Sequence, residues 1–237
     1  MKLRTIATAT LLALSLPAIA AQWTLADAMP ISGNSVDRIP SSRPAANINR
    51  LGFFSDLTFE HKSHTWFALS DRGPGGGVLG YATRVQQMWI PINPITGEFF
   101  AKPVVLRTIL FTDRDGLPFN GLNPNLLNGS PATLGRSFDP EGFAIGRNGH
   151  FFVADEYGPS LYEFDRRGRF VRAFDIPQNL RPRQADGQTN FSDGRPTVVL
   201  GRQDNRGFEG LTLNASGTRL YAVMQDPLVD EGDRSDG

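Results

Sequence analysis

Short, mostly apolar runs bounded by polar turn segments recur along the chain, at 65–70, 87–92, 104–111, 151–154, 161–164, 170–174, 197–200 and 219–224. They are rich in aromatic and β-branched residues and predict strands. Between them lie 93–97, 147–149, 165–168 and 214–217, short segments ending in glycine that carry hairpin-turn chemistry. No helical period emerges after the first residues, and the stretches 117–131 and 179–196 predict long loops. The one long apolar run, 6–19, follows the cationic start Met1-Lys2-Leu3-Arg4 and ends in Ala18-Ile19-Ala20. That pattern predicts a secretory signal peptide over 1–20, and the run is shorter than the roughly 20 residues a membrane-spanning helix needs. Residues 21–50 read as an N-terminal extended segment.

Internal repeats organise the rest. The stretch Asp139-Pro140-Glu141-Gly142-Phe143, a turn at 147–149 and the strand ending Asp155-Glu156 align with Phe208-Glu209-Gly210-Leu211, a turn at 215–217 and the strand ending Met224-Gln225. Near the N-terminus, Ser55-Asp56-Leu57, a turn at 62–64 and the strand ending Ser70-Asp71 complete the set. Hairpins recurring with a shared motif predict an all-β fold, a β-propeller of four-stranded antiparallel blades over 51–237. At about 40–50 residues per blade the chain holds four or five, and its third unit shows only two strands. The expectation is therefore an incomplete ring from a truncated chain; a β-sandwich with similar hairpins is the rival architecture.

Composition narrows the chemistry. Lys and Arg number 24, Asp and Glu 24, and cysteine is absent. The zero net charge argues against a nucleic-acid footprint, and the lack of thiols excludes disulfides, zinc knuckles and cysteine nucleophiles. What remains are carboxylates, hydroxyls, three histidines and metals. Propeller loops and strand ends converge near the axis, so acids far apart in sequence become neighbours. Gathered carboxylates repel, and a divalent cation offsets that. Hard oxygen ligands favour calcium or magnesium, and an exported chain meets calcium readily. Asp71, Asp139 and Glu209 are the candidate metal ligands; Glu141, Asp155 and Glu156 the candidate acid–base groups. Arg72, Arg136 and Arg206 are candidate phosphate clamps. The plainer reading gives these acids turn-capping roles and the arginines salt bridges to them.

Other motifs carry less. Gly75-Gly76-Gly77-Val78-Leu79-Gly80 fits GxGxxG without the second βαβ strand a dinucleotide site requires. His61 and His64 lack a third metal ligand nearby, no GxSxG elbow exists, and His150 sits in a turn.

The run Ser137-Phe138-Asp139-Pro140-Glu141-Gly142-Phe143-Ala144-Ile145, followed by Ala154-Asp155-Glu156-Tyr157-Gly158-Pro159, resembles the "esterase-like activity of phytase" family, secreted bacterial phytase-like propeller proteins. Phe208-Glu209-Gly210-Leu211 and Ala68-Leu69-Ser70-Asp71-Arg72-Gly73 also fit, so the likeness covers about 51–226. The resemblance implies a propeller-like fold and a phosphoesterase activity built on Asp71, Asp139, Glu141, Asp155, Glu156 and Glu209. The expected function is thus an exported, cation-dependent phosphoric-ester hydrolase acting on a small phosphate ester, with calcium as cofactor and no membrane span or nucleic-acid partner. The alternatives are a non-catalytic envelope propeller that binds ligands through loop aromatics such as Tyr157, and a fold in which calcium only stabilises blades.

Overall fold

The computed structural model describes residues 24–39, 49–52 and 54–232. The signal peptide expected at 1–20 lies outside these residues, as does the stretch from 40 to 48. Within them the fold is all-β, built of four antiparallel sheets. The first sheet runs in order β1 (Phe54–Glu60), β2 (Thr65–Ser70), β3 (Arg84–Trp89), β4 (Val104–Leu110). The second repeats that meander as β5 (Pro140–Ile145), β6 (Phe151–Asp155), β7 (Ser160–Phe164), β8 (Phe170–Ala173). Two smaller sheets pair β9 (Arg183–Gln184) with β10 (Val198–Leu200), and β11 (Phe208–Leu213) with β12 (Leu220–Met224).

Helix is nearly absent. The stretch 117–131, expected as loop, contains one short helix, α1 (Pro124–Asn128). The Asn123 side chain caps it by accepting from the Asn125 N–H at 3.0 Å, Pro124 opens its first turn, and Gly129 closes it at φ 66°. The loop expected at 179–196 likewise holds the two-residue β9. Both departures are single turns or single pairs, fixed by a cap or a neighbouring strand too local to leave a period in the sequence.

The three hairpins found as repeats in the sequence pack side by side, with β5 between β1 and β11. Asp56 on β1 accepts the Phe143 N–H of β5 at 2.8 Å, and the Thr58 hydroxyl donates to the Phe143 carbonyl at 3.4 Å. Between the first two sheets lies an aromatic core of Phe67, Phe111, Phe119, Phe138, Phe143, Phe151 and Phe164, with Leu69, Val85, Ile109 and Val153. Each such ring contributes roughly 1.5–3 kcal/mol by leaving water, and edge-on pairs such as Phe111 with Phe138 add to it. A second core, from Ala154, Leu161 and Phe208 with Leu211, Leu220 and Met224, joins the second sheet to β11 and β12. Among the described residues the sheets close into neither a barrel nor a ring.

One irregularity repeats with the hairpins. Pairing slips between Phe54 and Asp56 on β1, between Pro140 and Phe143 on β5, and between Phe208 and Gly210 on β11. These are β-bulges at the same place in three hairpins, and a bulge turns its side chain out of the pleat. The bulged positions hold Ser55, Glu141 and Glu209.

Candidate active site

The partners of the strand starts define the other half of the pattern. Phe54, Pro140 and Phe208 face Ser70, Asp155 and Met224 across their ladders. One residue past each partner stand Asp71, Glu156 and Gln225. Three hairpins thus present three bulge residues and three strand-end residues toward one region, and four of the six are acids.

Asp139, at the approach to β5, is the centre of the group. It is fully buried, its N–H donates to Asp155 Oδ1 at 2.8 Å and its carbonyl accepts from the Glu156 N–H at 2.9 Å. Oδ1 accepts the Arg72 N–H at 3.1 Å. Oδ2 accepts no hydrogen bond; Arg72 Nη1 stands 3.2 Å away as an ion pair only. Oxygens of Asp139, Glu141 and Glu156 lie within 4.8 Å of one another. Glu209, exposed on β11, and Asp71 are near enough for their charges to act on Glu141.

Asp155 has a different environment. Its Oδ1 accepts from the N–H groups of Asp139 and Tyr157 at 2.8 and 3.2 Å, and its Oδ2 from the Gly158 N–H and the Ser160 hydroxyl at 2.9 and 2.6 Å. Both oxygens are filled from its own chain, and the residue is fully buried. Arg72 and Arg206 flank the acids: Arg206 Nη1 reaches Glu156 Oε1 at 3.4 Å, Gln225 Oε1 at 2.8 Å and the Asn205 carbonyl at 3.1 Å, while its Nε pairs with Asp226 at 3.1 Å. Arg136 turns elsewhere, donating to the Pro118 carbonyl at 3.4 Å and pairing with Asp113 at 4.0 Å. Tyr157 is buried with its hydroxyl on the Gly121 carbonyl at 2.7 Å, so its ring is framework and not a presented ligand surface.

Asn205 escaped the sequence reading. Its Oδ1 accepts from Arg72 Nη1 and its Nδ2 donates to Glu156 Oε2 at 2.7 Å, so one amide joins a candidate ligand to a candidate clamp. Only this amide orientation satisfies both neighbours. The residue sits at φ 50°, a left-handed conformation that asparagine tolerates better than most. The one sequence signal was an asparagine in the polar turn 204–207, which by itself reads as an ordinary loop.

Burial, joined at three of them by crowded charge, raises Asp139, Glu141, Glu156 and Asp155. Burial, then the charges of Glu141, Glu156 and Asp155, hold the Asp139 carboxyl well above the usual range, against the pull of Arg72. Burial and the charges of Glu209, Glu156 and Asp71 push Glu141 up to about 8, although the Ser55 hydroxyl bonds to it. Burial and Glu209 push Glu156 to about 7, against Arg72 and Arg206. Asp155 rises to about 6 by burial alone, opposed by its four donors. At neutral pH such a group either keeps protons or gains a counter-cation.

A sequence model of the Phytase-like family, described as "Esterase-like activity of phytase", matches residues 49–237. The chain belongs to that family. A curated relative from Arthroderma benhamiae, described as an uncharacterized secreted protein, is 32% identical over 220 residues, which is 75% of this chain and 42% of the relative. The chain therefore spans less than half the length of that relative. The phytase-like match includes every hairpin that contributes to the acid group, from β1 to β12. No helix among the described residues is long and apolar enough to cross a membrane.

Proposed function

We propose that this phytase-like chain is an exported hydrolase of phosphoric esters whose site is centred on Asp139, Glu141 and Glu156, holding a divalent cation. The observation that carries the reading is Asp139 Oδ2: a buried carboxylate oxygen without a hydrogen bond, within 4.8 Å of ligand oxygens from two further acids. Arg72 beside Asp139 and Arg206 beside Glu156 bring two positive charges to a group that also holds Glu141, with Glu209 and Asp71 near, and a divalent cation would offset the excess of negative charge. An all-oxygen, all-carboxylate donor set fits calcium or magnesium and not a soft metal. Export is supported by the N-terminal pattern and by the secreted relative. The repeated hairpins, their repeated bulges and their side-by-side packing support a propeller-like arrangement, with the acids at the axial ends of its inner strands.

A cation bound there supplies charge neutralisation for the phosphoryl oxygens and a water of lowered pKa. The protein's own groups do the remainder. Arg72 and Arg206 both touch the acid group and orient the phosphate, Arg72 tethered by Asp139 and Arg206 by Glu156 and Asp226, so that their charges are held in place. Glu209 is exposed and outside the ligand triad, which leaves it able to take the proton of the attacking water as the new P–O bond forms in line with the departing alkoxide. Asp71, beside Arg72, keeps local charge negative and strengthens cation binding. Asp155 positions Asp139 and does not meet substrate.

The test is turnover of p-nitrophenyl phosphate, its bis-ester and phytate by the full chain, with calcium or with chelator. Turnover falling at least a hundredfold with chelator and with Glu141→Gln/Glu156→Gln is expected. Equal rates in wild type and the double variant overturn the reading.

A further inference from the structure

The outer edge of the second sheet carries a recess that shares no residue with the acid group. The chain leaving β4 crosses β8 there: the Thr112 N–H donates to the Gly168 carbonyl and the Thr112 carbonyl accepts from the Phe170 N–H, each at 2.8 Å. The turn that follows carries Asp113, Arg114 and Asp115. With Phe119 and Gly135 it meets Tyr162 of β7 and Phe170 and Ala173 of β8 around a cavity of about 300 Å3. Three rings in mutual contact form its apolar side. The centroids of Tyr162 and Phe170 are 5.4 Å apart, and Phe119 lies 5.7 Å from the first and 6.2 Å from the second. Phe119 is buried, whereas Tyr162 and Phe170 are only partly covered. The Arg114 guanidinium stands 5.5 Å over the Phe170 ring, so the charged turn and the rings border one space.

The turn is held by its own acid. Asp113 Oδ1 accepts from the Asp115 and Leu117 N–H groups at 3.0 and 2.8 Å. Its Oδ2 has Arg136 Nε at 4.0 Å, an ion pair beyond hydrogen-bond reach, and so keeps the capacity to accept a donor. Arg136 balances Asp113 and Arg114 offsets Asp115, which leaves the rim without net charge. An anion would meet two carboxylates there and a cation two guanidinium groups. A wholly apolar ligand would strip water from the charged rim and give no hydrogen bond in return. We infer that this recess binds a neutral sugar ring, alone or as one unit of a longer saccharide. The ring's C–H face lies against Tyr162 and Phe170, its hydroxyls donate to Asp113 Oδ2 and Asp115, and Arg114 donates to a hydroxyl or ring oxygen. The volume stands at the small end of ligand sites, which suits a single ring.

The test is saturation-transfer NMR on the full chain with methyl β-glucoside, its galacto epimer and cyclohexanol, in chelator so that no cation contributes at the acid group. The expected result is transfer to at least one glycoside, strongest at the C–H protons of one ring face and unchanged as salt rises, because the ligand has no charge to screen. Cyclohexanol, with a single hydroxyl, should receive none. Ala173→Arg places a long side chain on the floor and should abolish transfer. Asp115→Ala should weaken binding about tenfold, the effect of losing one hydrogen bond to a charged group. Glu141→Gln/Glu156→Gln should leave it unchanged. Ala173 and Asp115 are exposed, so their variants keep the fold, which unchanged melting confirms. No transfer to either glycoside, transfer undiminished in Ala173→Arg, or cyclohexanol binding as well as the sugars overturns the inference. Hydrolysis enters none of these readouts, so this inference and the proposed activity fail separately.

Discussion

Asp155 and Asn205 work through their neighbours. Asp155 gathers four donors, one of them the N–H of Asp139, and so fixes the backbone from which the central carboxylate projects. An amide in its place has one accepting oxygen and brings two N–H donors against donors. Asp155→Asn is expected to cost about 2–4 kcal/mol in urea unfolding and to remove cation binding with it. Asn205 separates backbone from side-chain effects. Asn205→Gly keeps the left-handed conformation and loses the bridge between Arg72 and Glu156. That variant should melt close to wild type yet bind calcium about tenfold more weakly, the usual effect of removing a group that orients a ligand. Normal affinity in calorimetry removes Asn205 from the site.

At the level of elements, the contact between β5 and β11 has no slack. A methyl group added at Gly142 would meet Leu211 Cβ and N at 2.7 Å and the Glu209 carbonyl at 2.9 Å. Gly142→Ala should therefore lower the unfolding free energy by about 1–3 kcal/mol and impair turnover more than its distance from substrate suggests, because Glu141 and Glu209 flank the displaced backbone. The hairpins themselves were legible in the sequence: short aromatic and β-branched runs at 151–154 and 219–224, each set between Gly-containing turns, mark strands. Their equivalence was legible too, since Glu141 and Glu209 sit in matching strings. The bulges were not, because a slipped pairing depends on the partner strand and writes no residue pattern of its own. Nor was the fate of Asp155 and Arg136: an acid filled by its own backbone and an arginine turned toward Asp113 have the same letters as ones that face a ligand.

Across the whole molecule, the pH behaviour follows from carboxyls raised in the folded state. Free in the unfolded chain, Glu141 and Glu156 titrate near 4.5; folded, they do so near 8 and 7. The native protein then holds more protons than the unfolded chain between these values, so stability falls as pH rises through that window. Cation-free protein should melt highest near pH 5 and lose stability toward pH 8, whereas calcium should raise the melting temperature most at pH 8, where protons no longer compete for the oxygens. A calcium effect independent of pH refutes this coupling. The three recurring bulges carry a further consequence. Ser55, Glu141 and Glu209 occupy interchangeable sockets, and the strands on either side keep their pairing whichever side chain a socket holds. A designer wishing to retune the pocket toward a trivalent lanthanide can exchange Ser55, whose hydroxyl now bonds to Glu141, for one more carboxylate, and the luminescence of bound terbium would announce whether the seat had been filled.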